Sequence, residues 1–521
     1  MENTLPQNDK SFFGHPRGLS TLFFTEMWER FSFYGLRALL MLYMTTEAAK
    51  GGLGWDNKKA APIYALYAAS VYFLPLIGGW LADRFIGAKR ATLIGGIIIM
   101  IGHFTLAFSN PTTFYLGLIF VATGTGFLKS NISVMVGDLY TKEDSRRDAG
   151  FSIFYMGINL GATIAPLICG FLAENKNFQQ FISSMGFNPH SSWHFGFAAA
   201  GVGMFFGLLQ YLLGRKNLKN IGEVPKDDRV DAAGENAPGN GMSTLYIIEM
   251  IALVVIATTI IVLSVFVRDF DFALSYVLMP TVLIAGLIGV LLSGMQDKLD
   301  AGDWKRIGVI IILFVFSTIF WMGFEQAATS LNLFARDMTD LTVFGGWLEA
   351  SSLQAVNGFF IVILAPVVGA VWYYLGTRQP SDAVKFSIAL LFAGLGFVVV
   401  AAAVSMAGGG KVNPSWLFLV YFLHTIGELC LSPVGLSSMT KLAPPKMVSL
   451  MMGVWFLSIS MGNYFAGMIA GEFKPEASVV ISIFSTVAII LIAAAVLLFI
   501  ISPLIKKLYA KPQSVVPMET A

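Results

Sequence analysis

The amino-acid sequence predicts an all-α integral membrane protein, built as two six-helix bundles with two additional helices between them. Three observations carry this. Of 521 residues, 56% are hydrophobic and only 13% charged, with a mean hydropathy of +0.70, whereas a soluble chain carries about 25% charged residues. Apolar runs of the roughly 20 residues needed to cross a bilayer follow one another along the chain. A polar stretch with Gly and Pro, KNLKNIGEVPKDDRVDAAGENAPGNG at 216–241, divides them and reads as a flexible linker.

The elements follow in order. Residues 1–18 are polar, lack a short apolar segment with a cleavage site, and read as a cytoplasmic N-terminus, not a secretory signal. The first bundle, 19–215, has spans at 19–46, 60–83, 91–109, 112–137, 149–172 and 194–213. After the linker (216–242) come two additional spans, 243–267 and 273–295, within 243–296. The second bundle, 305–507, has spans at 305–336, 350–375, 384–406, 414–442, 447–470 and 477–506, and a cytoplasmic tail follows at 508–521. Arg84, Lys89 and Arg90, then Lys142, Arg146 and Arg147, then Arg215, Lys216 and Lys219, and finally Lys506 and Lys507 mark one side of the membrane. The positive-inside bias makes that side cytoplasmic, with both termini and the linker there, although Lys50, Lys58 and Lys59 run against it. The expected location is the inner (plasma) membrane.

The composition also excludes function classes. A net charge of +2 suggests no nucleic-acid partner. The two cysteines, Cys169 and Cys430, lie in apolar stretches and read as packing residues, not a metal pair or disulfide. No HExxH or GxSxG motif indicates an enzyme, and no cofactor is called for.

Ionisable residues inside apolar spans each cost on the order of 3 kcal/mol at a helix centre, so they mark function. The first span reads EMWERFSFYGLR at 26–37. At about 100° per residue, Glu26, Arg30 and Arg37 fall within roughly 40° of one another, with Glu29 and Tyr34 flanking the stripe. Lys129 sits near the middle of the fourth span, where the small residues of GTG permit close helix packing. Trp321 and Glu325 share a face four residues apart at 305–336, while Glu428 and Ser432 do so at 414–442, ahead of Pro433. Asn159 follows Tyr155 by one turn, and Asn357 lies in the span at 350–375. His103 and His424 read as hydrogen-bonded packing residues. The first half thus supplies the cations Arg37 and Lys129 and the second the anions Glu325 and Glu428. A cavity between such walls suits a zwitterion, and when empty the same residues would pair across it.

A six-plus-six arrangement with a central linker resembles the major facilitator architecture, and GGWLADRFIGAKR at 78–90 resembles its loop 2–3 signature. There Asp83 is placed to cap a helix end. More specifically, Glu26-Met27-Trp28-Glu29-Arg30-Phe31-Ser32-Phe33-Tyr34-Gly35 resembles the ExxERFxYYG signature of the proton-dependent oligopeptide transporter family. Gly126–Asn131, Phe154–Asn159 and Gly427–Pro433 resemble its motifs in the fourth, fifth and tenth core helices. The resemblance covers the whole transmembrane part. It implies a symporter importing di- and tripeptides with protons by alternating access, functional as a monomer in lipid. By resemblance, Glu26, Glu29 and Arg30 form the proton-linked cluster, with Glu325 a second protonation site. Arg37 and Lys129 meet the peptide carboxylate or form gate pairs with Glu325 and Glu428. Glu428, Asn159 and Asn357 meet the amino terminus, and Tyr34, Tyr67, Tyr155, Trp321, Trp455 and Ser432 line the pocket. Two departures stand out: Phe33 replaces the signature's first tyrosine, and Ile63–Tyr67 holds no counterpart of the histidine of animal members. Plant relatives carry nitrate, so a symporter of nitrate or another small solute is the alternative.

Overall fold

The computed structural model describes residues 11–223 and 299–509, apart from 109, 142–143, 145, 346–347 and 445–446. The additional spans expected at 243–267 and 273–295 lie outside the described residues, as do most of the linker and the tail. The helices are α1 (Arg17–Thr45), α2 (Asn57–Leu81), α3 (Ala88–Leu106), α4 (Pro111–Asp138), α5 (Arg147–Glu174), α6 (Lys176–Ser184) and α7 (Ser192–Gly214). After 299 follow α8 (Ala301–Phe324), α9 (Ser330–Met338), α10 (Ala355–Leu375), α11 (Asp382–Met406), α12 (Ser415–Leu442), α13 (Val448–Ala470) and α14 (Ala477–Tyr509).

Local chemistry sets the starts. Asp56 caps α2 by accepting from the Lys59 amide at 2.9 Å, and Asn110 caps α4 ahead of Pro111. Asp300 caps α8 through the Asp303 amide at 2.7 Å. At the 78–90 turn, residues Ala82–Ile86 form a π-helical turn and Gly87, at φ 78°, is the N-cap of α3. Only a residue at ease with positive φ fits that corner; the side chain of Asp83, expected to cap a helix end, lies outside what is described. The short amphipathic α6 was not anticipated; its polar sequence, KNFQQFISS, falls below any spanning pattern.

Among the described residues, eleven helices are long and apolar enough to cross a membrane. The charged α1 is as long, at 29 residues. α1 packs on α5 and α7, α3 on α4 and α7, and α2 on α4, making one bundle. α8 packs on α13 and α14, α11 on α12 and α14, and α10 on α12, making the other. α2 against α13 and α5 against α10 join the two, which is the major facilitator arrangement.

Glycines let backbones touch at the crossings. A Cβ on Gly78 would stand 2.1 Å from the Gly126 carbonyl oxygen, and one on Gly95 would stand 2.5 Å from that of Gly124. Both neighbours are backbone and cannot turn aside. Gly78→Leu is therefore expected to reduce the folded, monodisperse fraction on size exclusion several-fold. Gly369→Leu, where nothing lies within 4 Å, is the control and should leave that fraction unchanged.

The span expected at 305–336 is present as one span, Ala301–Met338, but it is not one continuous helix. α8 stops at Phe324, a 3-10 turn occupies Glu325–Ala328, Thr329 takes φ −121° and ψ −103°, and α9 begins at Ser330. Buried polar side chains take over the freed backbone groups. Gln326 Nε2 donates to the Met322 carbonyl at 3.2 Å, and Thr329 Oγ1 to that of Glu325 at 3.4 Å. Sequence periodicity does not register such a joint because apolar residues continue on both sides of it.

Candidate functional site

The ionisable groups converge between the bundles. On α1, Arg30 Nε lies 3.2 Å from Glu26 Oε1, and Arg30 Nη2 donates to Glu29 Oε1 at 2.7 Å. All three side chains are buried, and the second oxygen of Glu26 has no hydrogen-bond partner among the described residues. A bare oxygen on a buried carboxylate is an acceptor position waiting for a proton or a donor. The face of Phe33 lies 4.9 Å from the Arg30 guanidinium.

Two turns on, Arg37 Nη2 meets Glu325 Oε2 at 2.7 Å, with side-chain exposures of 9% and 2%. This is the one predicted cross-bundle pair that is formed. Glu325 is the first residue past α8 and opens the 3-10 turn of the joint. The Tyr34 ring lies 5.6 Å from the Arg37 guanidinium, and Asn463 of α13 adjoins the Glu325 carboxylate. Asn463, an amide inside an apolar helix, was missed by sequence reasoning although that signal was available.

The second expected pair, Lys129 with Glu428, is not formed. Lys129 Nζ instead lies 3.6 Å from the centre of the Tyr72 ring and 6.0 Å from that of Phe33. No carboxylate among the described residues lies within 4.0 Å of it, and its charged neighbours are Arg30, Glu29, Glu26 and Glu325. Two aromatic faces take the ammonium where no anion reaches it. Glu428 is held on its own side, accepting from Asn357 Nδ2 at 3.1 Å, and that amide also meets Thr425 Oγ1 at 3.0 Å.

On α2, Tyr72 meets the Lys129 ammonium, while Tyr64 lies beside Arg37 and Glu325 and Tyr67 beside Glu29, Arg30 and Arg37. Tyr67, expected to line the pocket, is buried beside the charged residues of α1, its hydroxyl without a hydrogen-bond partner among the described residues. Spacing could not separate the tyrosines at 64, 67 and 72 without knowing which face of α2 looks inward. Asn159 spends its amide on the Tyr155 carbonyl at 2.9 Å, and Tyr155 is 37% exposed. Trp321 Nε1 and Ser432 Oγ are buried without hydrogen-bond partners among the described residues. Trp455 packs over Gly435 and edge-on to Phe386 within the second bundle. His424 Nε2 donates to the Ala393 carbonyl at 3.2 Å, whereas the ring nitrogens of buried His103 have no partner among the described residues.

At the end of the molecule where α1 finishes, further polar contacts tie the bundles together. Asn332 Nδ2 donates to the Ala38 carbonyl at 2.8 Å, Arg336 Nη1 to Thr45 Oγ1 at 2.7 Å, and Asn57 Nδ2 to the Phe473 carbonyl at 2.7 Å. The Glu174 carboxylate accepts from Ser351 Oγ, and Asn175 Nδ2 donates to Glu349 Oε1 at 2.7 Å. That end is closed. The site thus sets Arg37, Lys129 and the Glu26–Arg30–Glu29 group of the first half against Glu325 and Glu428 of the second.

A model of the POT family (PTR2) matches residues 89–483. The chain is 39% identical over 515 residues to Peptide transporter YePEPT of Yersinia enterocolitica, covering 95% of this chain and 96% of that one. It is 38% identical over 517 residues to a Di-/tripeptide transporter of Lactococcus lactis subsp. cremoris, covering 98% and 99%. A crystal structure of a mutant peptide transporter POT in complex with alafosfalin superposes with a TM-score of 0.83 at 40% identity, covering 96% of this chain and 98% of that one.

Proposed function

The chain belongs to the POT family, and from that premise we propose that it imports di- and tripeptides together with protons by alternating access. It is a multi-pass membrane transporter, not an enzyme. The observation that carries the proposal is the charge asymmetry across the cavity. The first half offers Arg37 and Lys129, the second Glu325 and Glu428. A peptide carboxylate would draw Lys129 off its aromatic rings and compete with Glu325 for Arg37. The peptide ammonium would meet Glu428, Asn357 and Asn159, with Tyr34, Tyr155, Trp321 and Ser432 around the side chains. Glu26, Glu29 and Arg30 would carry the coupled proton. The nitrate alternative has no support among the relatives named above.

Both termini lie in the cytoplasm of a cell whose inner membrane holds the protein, so the closed end is the outer mouth. The transporter works as a monomer in lipid, and a nucleic-acid partner has no place in the mechanism.

The decisive test is uptake of a labelled dipeptide into proteoliposomes with and without an imposed gradient. One proton crossing about 100 mV supplies roughly 2.3 kcal/mol, enough for accumulation of some fiftyfold. A protonophore should abolish accumulation; persistence would end the proton-coupled reading.

Blocking either terminus of the dipeptide should weaken competition at least tenfold, because a cavity charge then stays buried and unpartnered. Changing its side chains should matter less. Equal competition by single amino acids, too short to span both walls, would contradict the two-wall cavity.

A further inference from the structure

The outer ends of α5 and α10 carry a contact that the peptide site does not use. Glu174 ends α5 in the first half. Its Oε1 accepts from the Ser351 hydroxyl and lies 3.3 Å from the Ser351 amide, at the turn that leads into α10 of the second half. Asn175 reaches the opposite way, its amide donating to Glu349 Oε1 at 2.7 Å. Two carboxylates from opposite halves are therefore brought together, each held by a neutral donor from the other half. The fit is tight, since a Cβ on Gly170 would stand 2.2 Å from Ser351 Oγ. The charged groups facing Glu174 are Glu349 and Arg336, and Lys176 also faces Glu349. Arg336 is already engaged by Asp337 at 2.7 Å, so it is shared.

We propose that this clasp is a proton-sensitive latch of the outer mouth, in which closure brings Glu174 and Glu349 together and takes up a proton that opening releases. When the mouth opens, the halves separate, and each carboxylate regains water and loses its like-charged neighbour. When it closes, both are desolvated at once beside each other. Burial alone holds the Glu349 carboxyl above the usual carboxylate range in this closed form. The sign follows from linkage: a group that binds protons more tightly in the closed state favours that state as the outside acidifies. External acid would then promote the closing step that commits a loaded carrier inward. This rests on the proposed orientation and alternating access, not on the identity of the substrate.

The test uses the full chain in proteoliposomes at equal pH on both sides, with no potential and no peptide. Leu42, fully buried on α1 near the outer mouth, is changed by Leu42→Cys, and its labelling by a membrane-impermeant thiol reagent reads mouth opening. Rates are expressed as the ratio of variant to parent at each pH, which cancels the thiol's own titration. Glutamine mimics the protonated acid, so Glu174→Gln/Glu349→Gln should label on the order of five- to tenfold more slowly than its parent at about pH 7.5. The two should converge at about pH 5. Glu349→Gln alone should show the same trend in smaller measure and serves if the double variant folds poorly. Ser351→Ala, which removes a donor and no titrating group, should label faster than the parent at both values. A ratio that is the same at both pH values for the glutamine variants would overturn the latch. Dipeptide exchange by the same vesicles is measured separately, so failure of the peptide reading and failure of the latch remain distinct results.

Discussion

Replacing either Arg37 or Glu325 by alanine should open the outer mouth far more than replacing both. The pair is buried at 2.7 Å between the halves, and removing one partner leaves the other charge without compensation, at a cost of roughly 3–5 kcal/mol. That cost falls on the closed state, because in the open state the remaining charge reaches water. The closed-to-open ratio should fall by a hundredfold or more in each single variant, at about 1.4 kcal/mol per tenfold. The double variant should recover most of it. Labelling of Leu42→Cys in a double-mutant cycle measures the coupling directly. Strictly additive effects would remove this pair from the gate. Protonation of Glu325 acts like half of the single replacement, which is how an external proton would ease outer opening before the peptide enters.

The second large effect is expected at Glu26. One of its oxygens is occupied by Arg30 at 3.2 Å and the other is bare. Glu26→Gln preserves size and can keep its carbonyl toward Arg30, but it can neither gain nor lose a proton. Gradient-driven uptake should fall by at least tenfold, while exchange of labelled for unlabelled dipeptide stays within about twofold of the parent. Loss of both activities would identify the Glu26–Arg30–Glu29 group as a static structural bridge. The structure by itself already shows why the group tolerates burial: one guanidinium offers its fork to two carboxylates, and Phe33 covers its face.

Much of this was legible in the sequence because a membrane protein writes its fold in long apolar runs. The end of α1 at Thr45 against an expected 46, and α12 at Ser415–Leu442 against 414–442, show how little ambiguity remains once lipid forbids an unpaired backbone. The charged residues were equally legible, since each is costly among apolar neighbours. What the sequence withheld was partnership. The Arg37–Glu325 contact follows from opposite charge, but Lys129 and Glu428 carry the same logic and stand apart, each taken by neutral neighbours that charge counting ignores. Tyr72, Asn463 and the Glu174–Ser351 contact were overlooked for the same reason: which face of a helix looks inward is set by tertiary packing. The joint at 325–329 escaped because polar side chains, not proline or glycine, make it.

That joint has a consequence for leakage. In a rigid rod, any tilt that widens one mouth must narrow the other at the same instant, and halfway through the swing both stand ajar. A membrane holding about 100 mV cannot tolerate such a moment, because water and ions would run through and dissipate the gradient that drives uptake. With the chain broken between α8 and α9, the outer segment can swing on Thr329 while the longer inner segment stays seated on α13. Such a joint would let one end shut before the other begins to part, as in a canal lock.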